Sequence, residues 1–121
     1  MSDRIVLTNI RLDGRHGWNE GERDRPQPFE VDVELVRDLR PAGVRDDLAA
    51  TVDYRRVYDL VRDVIENRSF GLLEAIAETI ATELLTSVRV DEVVVRVRKP
   101  GVQLGGPLDF AGVEIRRAST D

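Results

Sequence analysis

Apolar positions recur at every second residue from Phe29 to Leu35, where Phe29, Val31, Val33 and Leu35 alternate with Glu30, Asp32 and Glu34. A period of two puts one row of side chains against a core and the other in water, so the segment reads as a half-buried strand. Residues 4–12 are β-branched and apolar enough to form an earlier strand. Between the two lies Asp13 to Pro28, rich in Gly, Asn, Pro and charge, which predicts a loop long enough to carry function. Residues 38–53 contain Pro41, Gly43 and the pair Asp46-Asp47, and predict a connection. The spacing then becomes helical. Val57, Leu60, Val61 and Val64 share one helix face, and Leu73, Ile76, Ala77, Ile80 and Leu84 share another. Asn67 to Gly71 supplies turn residues between them, with Ser69 placed to cap the second helix. Val93, Val95 and Val97 mark a third strand that ends at Lys99-Pro100. A loop from Gly101 to Pro107 and a fourth strand from Phe110 to Arg117 complete the chain.

The order β-β-α-α-β-β predicts an α+β fold, a four-stranded antiparallel sheet with two helices on one face. At 121 residues the chain reads as a single domain, 1–121. Four strands leave two edges exposed, and self-association is the simplest way to cover them.

Composition narrows the function. With no cysteine, a disulfide scaffold and a cysteine-ligated metal site are excluded. A net charge of −5 argues against nucleic acid as partner, because phosphate contacts need a basic face. No apolar run approaches the roughly 20 residues of a membrane span, and the start lacks a signal pattern, so a cytoplasmic protein with no membrane partner is expected. Lys99 is the sole lysine beside seventeen arginines. It shares strand parity with Val93, Val95 and Val97, and so closes an apolar row just before a loop. An ammonium there can give up its proton when partly desolvated, which a guanidinium cannot. A surface cation retained by chance would look the same in sequence.

Several short motifs, in order, carry a resemblance. They are His16-Gly17 followed by Glu22 and Gln27-x-Phe29-x-Val31-Asp32; Asp47-Leu48 with Thr51-Val52-Asp53-Tyr54; Leu72-Leu73-Glu74 with Ala77-Glu78-x-Ile80-Ala81; and Val95-x-Val97-x-Lys99-Pro100 with Asp109-x-Ala111-Gly112-Val113-x-Ile115-x-Arg117. Together they resemble the dihydroneopterin aldolase family over residues 4–117. The resemblance implies a tunnelling fold whose sheets close into a barrel with the helices outside, and a homo-octamer with active sites between subunits. It also implies a retro-aldol cleavage in folate synthesis, of dihydroneopterin to 6-hydroxymethyl-7,8-dihydropterin and glycolaldehyde, with epimerisation as a companion activity and neither metal nor cofactor. Three departures fall at the entrance loops: Pro26 where glycine is usual, Val102-Gln103-Leu104 after the Lys-Pro, and Trp18 for a smaller apolar residue. Glu66-Asn67-Arg68-Ser69-Phe70 resembles instead the related dihydroneopterin triphosphate epimerase, which makes that activity the alternative; a non-catalytic pterin-binding member is a third.

The resemblance also implies roles. Glu74 anchors the pterin, whose ring N–H and amino group one carboxylate can accept together, while the Leu73 main chain binds the carbonyl. Val52 and Asp53 belong to the substrate-binding segment. Lys99 is the general base, acting through water, and Glu22 positions it. Tyr54, from the adjacent subunit, returns a proton to carbon. Read without the resemblance, Glu74 also suits a residue complementing a helix dipole, Glu22 a solvated loop charge, and Tyr54 an interface aromatic. His16 is the only histidine and, having no companion ligand, reads as a loop-structuring residue.

Overall fold

The computed structural model describes residues 3–120. Its four strands are β1 (Arg4–Gly14), β2 (Gln27–Val36), β3 (Glu92–Lys99) and β4 (Ala111–Ala118). They pair antiparallel in the order β1-β2-β3-β4, leaving β1 and β4 as edges. Helices α2 (Tyr54–Asn67) and α3 (Leu73–Ser87) pack on the face that carries Phe29, Val31, Val33 and Leu35 of β2 and Val93, Val95 and Val97 of β3. All seven of these strand residues are fully buried. The α+β reading and the helix positions hold.

Three local expectations change. Residues 38–53 are not a bare connection: α1 (Arg40–Arg45) forms there with Pro41 in its first turn, followed by a single 3-10 turn, Leu48–Ala50. Proline fits that position because its missing N–H is one the helix would leave unpaired anyway. Ser69 does not cap α3. Its hydroxyl donates instead to the Arg15 carbonyl, and Leu72 stands at the cap position without a side-chain bond. Last, β1 runs on to Gly14, two residues further than its composition indicates.

The same strand carries a bulge. The β1–β2 register pairs Leu7 with Val33 and then Ile10 with Val31, one extra residue on β1, with Asn9 in the left-handed region at φ 62°. Asparagine tolerates that conformation better than most residues. Its N–H donates to Asp32 Oδ1 at 2.7 Å and its Oδ1 accepts from Arg98 at 3.1 Å. The extra residue flips strand parity. Ile5 and Leu7 face the core before the bulge, and Ile10 and Leu12 face it afterwards. Gly14 and His16 inherit the inward direction, and the candidate site begins there.

The opposite face of the sheet is charged. Arg98 binds Asp32 through two nitrogens at 2.7 and 2.9 Å, and Arg96 pairs with Glu34 and Glu114, each at 2.6 Å. Partly exposed pairs of this kind contribute at most about 1 kcal/mol each, so the core and not the ladder carries stability.

Candidate active site

Gly14 is required by close approach. A Cβ there would lie 2.5 Å from the Ile65 carbonyl oxygen and 2.7 Å from His16 Nε2. The empty space lets His16 Nε2–H donate to that carbonyl at 2.8 Å, while Nδ1 accepts from the Phe70 N–H at 3.0 Å. These partners assign the neutral imidazole with its proton on Nε2. The ring is 1% exposed, edge-on to Phe29 with centroids 5.1 Å apart and stacked on Phe70 at 5.9 Å. Burial pushes its pKa below the ordinary 6.5, the Ile65 bond opposes, and the nearby positive charges of Arg23 and Lys99 lower it further. His16 thus ties the loop after β1 to the turn before α3. Gly17 N–H donating to the Phe70 carbonyl at 2.9 Å makes the second tie.

That loop carries Glu22, which opens a short 3-10 turn, Glu22–Asp24. Its Oε1 accepts from the Asn19 N–H at 3.1 Å, and its Oε2 accepts from Lys99 Nζ at the end of β3. The Lys99 hydrogen bond holds the Glu22 carboxyl below its ordinary value, against a smaller opposing effect of burial. Gln27 supports the arrangement, donating from Nε2 to the carbonyls of His16 (3.3 Å) and Glu22 (3.2 Å). This role was not read from the sequence, yet a signal existed. Gln27 heads the apolar row 29-31-33-35 by parity, as Lys99 ends the row 93-95-97, and a polar residue at the end of a buried row needs a partner.

Glu22, Lys99, Leu73 and Glu74 line one cavity of about 220 Å³, together with His16, Trp18, Phe29, Val102 and Ala111. Glu74 lies in the first turn of α3, where no side chain caps the backbone N–H groups and negative charge is favoured. A lysine–glutamate pair and a carboxylate beside helix-opening N–H groups supply the group types that hold a flat heterocycle by its polar edge and act on a substituent.

Val52, Asp53 and Tyr54 are elsewhere in the chain's own fold. They line a different pocket, with Ile5, Leu39 and Leu48 beside the β1 edge. Val52 is buried, Tyr54 opens α2 with 62% of its surface exposed, and Asp53 caps α2 through the Arg55 N–H at 3.0 Å. Arg55 also reaches Asp53 with its guanidinium at 2.9 and 2.7 Å, holding that carboxyl below its usual range. One chain therefore brings together Glu22, Leu73, Glu74 and Lys99, toward the β4 edge, and leaves Val52, Asp53 and Tyr54 at the β1 edge. Among the described residues no cluster of side chains is suited to hold a metal ion, and no helix is long and apolar enough to cross a membrane.

This α+β sheet, with a lysine–glutamate pair and a second carboxylate in one cavity toward its edge, has the make-up of a small enzyme with a site for a flat polar heterocycle. The family model for dihydroneopterin aldolase, FolB, matches residues 5–116, and the chain belongs to that family. It is 38% identical over 122 residues to the dihydroneopterin aldolase of Methylorubrum extorquens, covering 100% of this chain and 94% of that relative. The fold is similar to E. coli dihydroneopterin aldolase in complex with neopterin, with a TM-score of 0.90, 27% identity and coverage of 96% and 99% of the two chains. It is also similar to the Burkholderia thailendensis enzyme bound to guanine, with a TM-score of 0.79, 27% identity and coverage of 97% and 91%.

Proposed function

We propose that the cavity at Glu74 and Lys99 binds 7,8-dihydroneopterin and cleaves its side chain, releasing 6-hydroxymethyl-7,8-dihydropterin and glycolaldehyde in folate biosynthesis. The observation that carries this reading is the Lys99–Glu22 pair in the same cavity as Glu74. Glu74 accepts from the ring N–H and the exocyclic amino group, while the N–H at Leu73 donates to the ring carbonyl. Lys99 takes the proton of the side-chain hydroxyl through a bound water, and Glu22 holds both in line. The carbon–carbon bond then breaks: its electron pair enters the ring as an enamine and the alkoxide oxygen becomes the glycolaldehyde carbonyl. Tyr54 returns a proton to the enamine carbon. Re-addition of the enamine carbon to the opposite face of glycolaldehyde before it leaves re-forms the carbon–carbon bond and epimerises the substrate with no net cleavage. Every step uses side chains of this chain and water.

The separation of Tyr54, Val52 and Asp53 from Lys99 supports a site completed between two subunits. Edge-to-edge pairing of β1 with β4 of a second copy covers both exposed edges and closes a barrel with the helices outside. The assembly proposed is an octamer of two such rings. The segment resembling the triphosphate epimerase offers no free cation at Arg68, which is held by Asp63 and Glu83. That favours the unphosphorylated substrate. Incubation with dihydroneopterin or its triphosphate, with chelator and without nicotinamide, tests the reading. Glycolaldehyde from the former is expected. Epimer without cleavage, formed preferentially from the triphosphate, would replace it with the alternative.

A further inference from the structure

We propose that Trp18 is a substrate-binding residue, an aromatic wall against which the flat bicyclic ring of the ligand packs. This rests on the pterin reading of the cavity. Trp18 is 75% exposed, and a lone exposed apolar side chain would need no explanation. Its position does. The indole lines the same cavity as Glu74 and Lys99, next to the residues that meet the polar edge and the reacting side chain.

The indole also has a built seat. A Cβ on Gly71 would stand 2.7 Å from Trp18 Cε3 and 3.2 Å from Cζ3, so the ring rests directly on the Gly71 backbone, three residues before Glu74. The same absent Cβ would meet Arg23 Nη2 at 2.7 Å. Arg23 Nε donates to the Gly17 carbonyl at 3.1 Å, and Gly17 N–H donates to Phe70. The backbone on either side of the contact is therefore tied: residue 17 to residue 70, and residue 23 back to residue 17. An aromatic ring held this way loses little further freedom when a ligand arrives. The cavity itself, at about 220 Å³, is smaller than the roughly 300 Å³ at which small-molecule sites begin. A ring-sized apolar wall at its rim extends it for a bicyclic heterocycle without adding polar groups that need partners.

Trp18 is the only tryptophan, so its emission reports on this one position. The experiment titrates the full-length protein with neopterin and with guanine, which share the polar ring edge and differ in the side chain. Emission is corrected against free tryptophan for ligand absorbance, and affinity is measured independently by calorimetry. Saturable quenching at the calorimetric midpoint is expected with both ligands. Trp18→Ala should weaken both by about ten-fold or more, the scale on which removing an aromatic from under a nucleobase weakens its binding. Trp18→Phe should restore most of the loss. The exposed indole supports no core, so the variants should fold, which thermal unfolding checks. Three results would overturn the proposal: emission blind to a ligand that calorimetry sees, Trp18→Ala binding within about two-fold of wild type, or a change in assembly state with affinity intact. Failure of the wild type to bind either ligand would instead remove the pterin reading on which the proposal stands.

Discussion

Lys99 and Glu22 are 77 residues apart in sequence, and the Lys99 ammonium donates to the Glu22 carboxylate at the cavity wall. Lys99 ends a strand that is buried along one face, so its backbone position is rigid. Glu22 sits on a loop fastened through His16, Gly17 and Gln27. Both partners are thus held by the fold, one by strand pairing and the other by loop hydrogen bonds.

Replacing Lys99 by arginine separates charge from basicity. Arginine keeps a cation beside Glu22 and should leave thermal unfolding nearly unchanged. A guanidinium remains protonated at working pH, so turnover should fall by roughly two to four orders of magnitude. Single-turnover glycolaldehyde release checks this. Cleavage near the wild-type rate would return Lys99 to the status of a surface cation.

Glu74→Gln offers one acceptor and two donors where two ligand N–H groups need acceptors. Neopterin binding should weaken by at least about 2 kcal/mol, because a buried donor is left unpaired. Calorimetry at fixed pH measures it. An unchanged affinity would remove Glu74 from the ring edge.

His16 provides a pH test without mutation, being the only histidine. Burial lowers its pKa in the folded state, so the unfolded chain binds a proton more readily. Its contribution to stability is complete above the ordinary value of 6.5 and declines as pH falls through the interval down to the folded pKa. Protonation would also cost Nδ1 its acceptor role toward Phe70. In an NMR titration the single imidazole signal should move below pH 6.5, or not before unfolding. A midpoint at or above 6.5 would contradict the buried neutral ring.

The proposal of a site completed between two subunits predicts complementation. Tyr54→Phe and Lys99→Arg chains should each be nearly inactive alone. When they are refolded together, some interfaces pair an intact Tyr54 with an intact Lys99, and activity should reappear. Mixed oligomers verified by mass that stay inactive would place Tyr54 and Lys99 in one chain's site. A fully active monomer by light scattering would remove the barrel as well.

Much of this protein is written in local pattern. The two-residue period of β2 and β3 and the helical spacing in α2 and α3 determine which face is buried, because burial of apolar side chains follows backbone periodicity wherever the chain runs regularly. The oddity of Lys99 is visible in the same way. So is His16 as a structural residue, since one histidine cannot make a metal site alone. The parity flip at Asn9 is not visible locally: a bulge depends on how two strands register, and β2 imposes the register. Only the folded chain shows that the flip carries Gly14 and His16 inward, that Gly14 must lack a Cβ to let the Ile65 carbonyl reach the imidazole, and that Gly71 does the same for Trp18. The meeting of Glu22 with Lys99, and the distance of Tyr54 from both, likewise belong to tertiary structure. Sequence spacing constrains neighbours within a turn or a strand, whereas contacts across the sheet depend on pairing and packing that bring distant segments to one place.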